Sequence, residues 1–169
     1  FGEPGIGSLQ DTLATAARLN QFGSAAAARG LRFYVHNHDS EIKTKYLYDL
    51  EKNGHPHMVS AWEIVAANTD PRIVHFEVDI HWTRVGFGLD HFADVLDFLR
   101  KYRSRIELLH VKDTTPNGRI TDLGKGTTDW SAVFEAAGSQ IRYYVWEYDN
   151  DPTPFESAVI AYHYLRCQN

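Results

Sequence analysis

Phe76-Glu77-Val78-Asp79-Ile80-His81-Trp82 is the stretch of sequence that decides the fold. It ends an apolar run that begins at residue 73, and acidic and imidazole side chains gather where the run stops. Apolar runs of this length, rich in β-branched and aromatic residues, are typical of buried strands. Three other runs have the same design, over residues 31–38, 106–112 and 141–148. The sequence therefore predicts four β-strands, with the second over residues 73–82.

Helical segments are predicted before, between and after these strands. An Ala-rich segment over residues 9–29 stops at Gly30, a residue type that favours a helix end. The stretch 89–102 repeats its apolar side chains at the i, i+3, i+4, i+7 spacing of one helix face. Further helices are predicted over residues 58–68, 130–137 and 154–165. The alternation of helices and strands indicates an α/β fold, in which crossover helices join parallel strands.

The ends of the four strands carry His36, Asp79, His110 and Glu147, one after another along the chain. Their spacing matches the (β/α)₈ TIM barrel, which uses roughly 30 residues for each βα unit. A chain of 169 residues has room for about four such units and not for eight. We therefore predict a single domain over residues 1–169 that is half of a barrel or, as the alternative, a small open α/β sheet.

Charge and composition exclude several classes of partner. The net charge of −5 argues against nucleic-acid binding, which requires a basic surface. No apolar run reaches the roughly 18 residues that a membrane span needs. Cys167 is the single cysteine, which excludes an internal disulfide and a CxxC zinc site. No signal peptide is recognisable at the start of the sequence, so we expect a cytoplasmic protein.

The polar residues at the strand ends predict a metal site. Side chains two positions apart share one face of a strand, which places His36 with His38, Asp79 with Glu77, and Glu147 with Asp149. Because catalytic groups of barrels gather at the carboxyl ends of the strands, the four strand ends are expected to converge. Grouping so many ionisable side chains without a counterion is costly, and a divalent cation removes that cost. Mixed imidazole and carboxylate ligands suit Mn²⁺, Co²⁺, Fe²⁺ or Zn²⁺ and contain too much nitrogen for Ca²⁺.

Five short motifs, in this order along the chain, give a specific resemblance. They are His36-Asn37-His38-Asp39-Ser40-Glu41, Phe76-Glu77-Val78-Asp79-Ile80-His81-Trp82, His110-Val111-Lys112-Asp113, Gly124-Lys125-Gly126-Thr127-Thr128-Asp129-Trp130 and Val145-Trp146-Glu147-Tyr148-Asp149. Together they resemble the sugar phosphate isomerase/epimerase family, which are xylose-isomerase-like TIM barrels related to inosose dehydratases and ketose 3-epimerases. The resemblance implies the C-terminal half of such a barrel, with strands 1–4 absent from this chain.

The resemblance also implies roles for individual residues. The metal ligands would be His36, Asp79, His110 and Glu147, holding one divalent ion (Mn²⁺, Co²⁺, Mg²⁺, Fe²⁺ or Zn²⁺). His36 is the least secure ligand because relatives often carry Glu there, so His38 is either the alternative ligand or the proton-transfer base. The predicted catalytic residues are His38, Glu147 and Lys112. The predicted substrate-binding residues are His81, Trp82 and Lys112.

The implied chemistry is proton abstraction next to a carbonyl of a sugar or keto-sugar, through an enediolate. Isomerisation or epimerisation is the expected outcome, and loss of a leaving group, as in a lyase or dehydratase of keto-sugars or inososes, is the alternative. A non-catalytic sugar-binding half-barrel is a second alternative. DNA repair of the endonuclease IV kind is disfavoured by the acidic charge and by the small number of ligands. The expected partner in assembly is either the missing N-terminal half or a second copy of the chain.

Overall fold

Helices and strands alternate along the chain in a computed structural model that describes residues 4–167. The α/β class that the sequence predicts is confirmed, and β-strands pair in parallel as expected. The chain divides into two compact units, one up to Phe76 and one from Glu77 onwards.

The first unit combines two longer helices, a short helix and three strands. Its elements are α1 (Leu9–Ala27), β1 (Tyr34–His36), α2 (Ser40–Lys43), β2 (Lys45–Tyr48), β3 (His57–Ser60) and α3 (Ala61–Ala67). It also contains the first residues of β4 (His75–Asp79). The N–H of His75 donates to the carbonyl of Phe33, so β4 begins beside the residues that lead into β1.

The core of this unit depends on close packing of α1 and α3. Gly23 allows α1 to approach the backbone just before β4, since a Cβ at this position would lie 2.6 Å from the carbonyl oxygen of Ile73. Trp62 of α3 is fully buried against Phe76, with ring centroids 4.5 Å apart. These contacts hold the start of β4 and the residues before it against the helices of this unit.

A β-hairpin formed by β2 and β3 corrects the prediction of a helix over residues 58–68. The two strands pair antiparallel, with Tyr46 opposite Val59 and Leu47 opposite Met58. The helix begins only at Ala61, because Ser60 and Glu63 form a capping box that satisfies the first free N–H groups of α3. Residues 58–60 therefore belong to a strand and not to the helix.

The second unit contains the parallel part of the sheet and most of the helices. Besides the end of β4, its elements are α4 (Ile80–Phe87), α5 (Phe92–Tyr102), β5 (Ile106–Val111), β6 (Asp113–Thr114), β7 (Ile120–Thr121), α6 (Trp130–Ala137), β8 (Tyr143–Trp146) and α7 (Pro154–Arg166). The order of the main strands is β4, β5, β8. β5 and β8 are parallel, with Leu108 opposite Tyr143 and Val111 opposite Trp146.

The second predicted strand is shorter than expected because a helix begins directly after Asp79. The carboxylate of Asp79 accepts the N–H of Trp82 at 2.8 Å and so caps α4. Residues 80–82, predicted as strand, form the first turn of this helix. His81, which lies inside the strand predicted over residues 73–82, is therefore a helix residue.

Strand β8 lies at the end of the strand order, and its side chains are exposed. Tyr143 is 65% exposed and Val145 is 36% exposed, although this strand was expected to be buried on both faces. The helix that follows it, α7, also exposes large apolar side chains, at Phe155, Val159 and Tyr162. This part of the second unit is therefore an uncovered apolar surface.

No helix within residues 4–167 is both long enough and apolar enough to cross a membrane. The expectation of a cytoplasmic location stays a prediction.

Candidate active site

Three of the four predicted metal ligands come together in the second unit. Asp79 is the last residue of β4, His110 lies near the end of β5, and Glu147 directly follows β8. One ligand atom from each of these side chains lies within 4.8 Å of the others. The three side chains lie close together because they stand at or near the ends of neighbouring strands of one sheet. The spacing of these residues along the sequence predicts this arrangement.

His110 is the centre of this group. Its Nδ1 lies 2.8 Å from Glu147 Oε2 and 3.8 Å from Asp79 Oδ2. Its Nε2 lies 3.1 Å from Glu77 Oε1. Burial disfavours the charged imidazolium, but the hydrogen bond and charge of Glu77, followed by Glu147 and Asp79, outweigh burial and raise the pKa of His110. The neighbouring carboxylates therefore stabilise the protonated imidazole relative to a free histidine side chain.

The two carboxylates differ in their surroundings. Asp79 is fully buried, whereas the side chain of Glu147 is 37% exposed. Burial alone would raise the pKa of Glu147, but hydrogen bonds from Lys112 and His110 lower it to about 2. Glu147 is therefore ionised throughout the neutral range.

Lys112 is buried among carboxylates, with only 1% of its side chain exposed. Its Nζ lies 3.1 Å from Asp79 Oδ2, 2.7 Å from Glu147 Oε2 and 3.0 Å from Asp149 Oδ2. Burial opposes the charge, but these three carboxylates outweigh burial and raise the pKa of Lys112. The ammonium group is thus a fixed positive charge and not a solvated one.

A cavity of about 520 Å³ lies beside this group. The predicted substrate-binding residues His81 and Trp82 line it, together with Asp149 and, on the turn between β6 and β7, Arg119. The Nδ1 of His81 lies 2.9 Å from Thr114 Oγ1, which fixes the ring. Burial, followed by the charge of Lys112, lowers the pKa of His81 despite the opposing charge of Asp79, so this imidazole is neutral near pH 7.

His36 and His38 lie in the first unit. His36 is the half-buried last residue of β1, whereas His38, two residues later, is exposed. Their rings meet edge to face, with centroids 5.0 Å apart. The N–H of His38 donates to the carboxylate of Glu41 at 2.9 Å, which fixes the backbone between β1 and α2. The roles expected for the two histidines stay predictions.

The donor set in the second unit fits a divalent cation. Two carboxylates and one imidazole within 4.8 Å supply the mixed oxygen and nitrogen ligands that first-row transition metals and zinc accept. Glu77 contacts His110, and the N–H of Trp82 donates to Asp79. Such outer partners commonly orient the ligands of a metal ion. The residues themselves are therefore compatible with the metal that the sequence predicts.

Two residues near the site had no role assigned from the sequence. Glu77 contacts His110, and Asp149 contacts Lys112. Both were recognisable from strand alternation, since each lies two positions from a predicted ligand. What the sequence could not give was the partner of each carboxylate on the neighbouring strand.

The Gly-Lys-Gly loop has a structural partner. The buried carboxylate of Asp113 accepts the N–H groups of Gly124 and Gly126 at 2.9 and 3.1 Å. Lys125, between the two glycines, is exposed and lies 2.8 Å from Asp122. The two glycines therefore allow the backbone of the loop to approach the Asp113 carboxylate closely.

Comparisons with known proteins agree with the motifs. The chain is 26% identical to a sugar phosphate isomerase/epimerase from Parabacteroides distasonis of known structure, with a TM-score of 0.75 over 98% of this chain and 55% of that one. A second sugar phosphate isomerase/epimerase structure from the same organism has a TM-score of 0.76 at 24% identity, over 96% of this chain and 56% of that one. The resemblance to sugar phosphate isomerase/epimerases is confirmed.

A curated relative belongs to the related enzymes that the motifs indicate. The chain is 27% identical to the inosose dehydratase of Lactiplantibacillus plantarum, over 88% of this chain and 51% of that protein. No family model matches the sequence. The chain spans about half the length of the relatives that it matches.

Proposed function

We propose that this chain is the C-terminal half of a metal-dependent sugar isomerase/epimerase. The observation on which the proposal rests is the convergence of Asp79, His110 and Glu147 from three adjacent strand ends. The similarity to sugar phosphate isomerase/epimerases supports the same reaction class.

The half-barrel part of the proposal is supported by the exposed strand β8. An apolar edge strand normally needs a covering element, and Tyr143 and Val145 are exposed here. The relatives are about twice as long as this chain, which leaves length for four further βα units. The covering part would be the N-terminal half of a longer chain or a second copy of this one.

The proposed metal ligands are His36, Asp79, His110 and Glu147. A divalent ion held there, with Mn²⁺ as the first candidate, would act as a Lewis acid that favours negative charge on a substrate oxygen. His36 enters as the fourth ligand on the strength of the sequence motif, and His38 is its alternative.

The protein's own side chains supply the remaining chemistry. His38 or Glu147 would remove the proton next to the carbonyl, and Lys112 would stabilise the negative charge that develops on the neighbouring oxygen. Trp82 offers an aromatic surface to the sugar, and the neutral His81 offers a hydrogen-bonding group. The cavity beside them is large enough for a small sugar.

A lyase reaction on keto-sugars or inososes is the second candidate function. It is supported by the similarity to an inosose dehydratase. Both candidate reactions begin with proton abstraction and pass through an enediolate. An isomerase/epimerase then returns a proton to the sugar, whereas a lyase expels a leaving group. A non-catalytic sugar-binding half-barrel would bind the same substrates and exchange no protons.

Metal binding tests the proposal directly. Isothermal titration of chelator-treated protein with MnCl₂ is expected to give about one site per chain. Asp79→Ala and His110→Ala are expected to abolish binding while circular dichroism stays close to wild type. Asp94→Ala and His91→Ala are the matched controls, because these residues form an exposed pair on and just before α5. Wild-type protein that takes up no Mn²⁺, Co²⁺, Mg²⁺, Fe²⁺ or Zn²⁺ would contradict the proposal.

The reaction class is tested by incubation with ketoses and inososes in D₂O. An isomerase/epimerase incorporates deuterium next to the carbonyl and returns a sugar that is an isomer of the substrate apart from the label, whereas a dehydratase gives a product that is lighter by one water. If the chain alone is inactive, the assay is repeated with the full-length protein or with the complementary half.

A further inference from the structure

Lys112 contacts the same carboxylate oxygens that the proposed metal would need. In Asp79, Oδ1 accepts the N–H of Trp82, while Oδ2 faces Lys112 Nζ at 3.1 Å and His110 Nδ1 at 3.8 Å. The oxygen of Asp79 that faces the imidazole is therefore the one paired with the ammonium group.

Glu147 shows the same arrangement. Its Oε2 lies 2.8 Å from His110 Nδ1 and 2.7 Å from Lys112 Nζ. A divalent cation bound between the imidazole and the two carboxylates would have to share these oxygens with a second positive charge. Because two cations on one pair of oxygens repel each other, the ammonium group and the metal compete.

Asp149 gives the ammonium group an alternative position. Its Oδ2 lies 3.0 Å from Lys112 Nζ, and Asp149 also lines the cavity. The lysine side chain has a flexible four-carbon stem, so a small movement can transfer its charge from two carboxylates to the third. Asp149 is 35% exposed, and water can complete the hydrogen bonds that the ammonium group gives up.

We propose that Lys112 is the resident counter-cation of the metal site and that Asp149 receives it when a divalent ion binds. The inference rests on the proposed metal site. In the metal-free protein the ammonium group lies 3.1 Å from the buried Asp79 and offsets much of the cost of burying that carboxylate. Lys112 and Asp149 thereby set the affinity of the site for the metal.

The proposal predicts opposite effects of two substitutions. Lys112→Met removes the competing charge and is expected to tighten Mn²⁺ binding at least about tenfold. Asp149→Asn removes the alternative partner, holds the ammonium group on Asp79 and Glu147, and is expected to weaken Mn²⁺ binding several-fold. Isothermal titration of the chelator-treated chain with MnCl₂ measures both dissociation constants.

The double variant Lys112→Met/Asp149→Asn separates this mechanism from general electrostatics. If Asp149 acts through Lys112, its effect on Mn²⁺ affinity largely disappears once Lys112 is methionine. If Asp149 attracts the cation merely through its charge, Asp149→Asn weakens binding equally in both backgrounds, and the proposal is wrong. Lys125→Met, which breaks an exposed lysine–aspartate pair, is the control and should leave the affinity unchanged.

Thermal unfolding supplies a second measurement. In EDTA, Lys112→Met should unfold at a lower temperature than wild type, and saturating Mn²⁺ should raise its midpoint more than that of wild type. If Lys112→Met folds only with Mn²⁺, the proposal is supported, since the metal has replaced the missing ammonium group. A variant that stays unfolded with Mn²⁺ overturns it.

Failure of this inference differs from failure of the proposed function. If wild-type protein binds no Mn²⁺, the metal site itself is wrong. If wild-type protein binds Mn²⁺, Asp79→Ala does not, and Lys112→Met binds no more tightly than wild type, the metal site stands and only the role of Lys112 is refuted.

Discussion

At the scale of single residues, hydrogen bonds and nearby charges shift the pKa values of His110, Lys112 and Glu147 against the effect of burial. His110 contacts carboxylates on both ring nitrogens, and Glu147 accepts from two positively charged groups. The sequence predicted His110 and Glu147 as neighbours because they occupy equivalent strand ends, and the family resemblance added Lys112. It could not predict that Lys112 is buried, since that depends on side chains that approach from three different segments.

His38 is expected to transfer protons and not to maintain the fold. Its side chain is exposed, so replacement should cost little stability. His38→Gln is expected to leave the unfolding midpoint and Mn²⁺ affinity nearly unchanged while abolishing solvent-deuterium exchange into substrate. His55→Gln, at an exposed position of the hairpin loop, is the control. Exchange at the wild-type rate in His38→Gln would show that His38 is a positioning residue or a bystander and not the base.

The low pKa of Glu147 predicts a pH-dependent contribution to stability in the metal-free protein. A carboxyl whose folded pKa is about 2, against 4.5 for the free side chain, stabilises the fold above pH 4.5 and loses this effect as pH falls toward 2. Urea unfolding in EDTA is therefore expected to show Glu147→Gln as destabilised near neutral pH. The difference from wild type should narrow in acid, and a difference that is constant with pH would contradict the assignment.

At the scale of elements, periodicity predicted the four main strands and most helices, and it failed where capping decided the outcome. The apolar run over residues 73–82 continues through Ile80, so its hydrophobicity alone gives no reason to end the strand at Asp79. The carboxylate of Asp79 provides that reason by capping α4. The hairpin of β2 and β3 was missed because its two short strands are separated by a polar loop, and one of them merges into the α3 pattern.

The loop that contains Gly126 is expected to tolerate no side chain at that position. A Cβ there would meet the buried carboxylate of Asp113 and would lie 2.6 Å from the carbonyl oxygen of Thr114. Gly126→Ala is therefore expected to lower the free energy of unfolding by about 1–3 kcal/mol, as overpacked sites generally do. Gly7→Ala is the control, since its Cβ would have an ordinary 3.6 Å contact to Asp11. Equal stability of both variants in urea would show that the loop can move away.

At the scale of the whole molecule, the second unit exposes apolar side chains on one strand and one helix. Tyr143 and Val145 on β8, with Phe155 and Val159 on α7, present large apolar side chains to solvent. Surfaces of this kind are normally covered in a stable protein. The half-barrel that the strand spacing predicts gives a physical reason for them, since its edge would meet the other half.

The 169-residue chain is therefore expected to associate at micromolar concentration. Light scattering should give a mass above 19.3 kDa for the isolated chain, and an apolar dye should bind it. Val145→Lys is expected to reduce association, because an edge lysine opposes strand pairing. Lys125→Glu, on an exposed loop, is the control. A monomer that binds no dye would show that the surface needs no partner and would contradict the half-barrel proposal.

The fluorescence of Trp82 is expected to report the position of Lys112. The centre of the indole ring lies 5.5 Å from Lys112 Nζ, a distance at which the charge acts on the π-electrons. The emission colour of an indole shifts when a nearby charge moves, because excitation displaces electron density across the ring. A displacement of Lys112 should therefore change the fluorescence of Trp82 without any added label. Titrations and stopped-flow mixing could then follow occupancy of the site in real time. Trp82→Phe, which keeps the other three tryptophans, would supply their background emission.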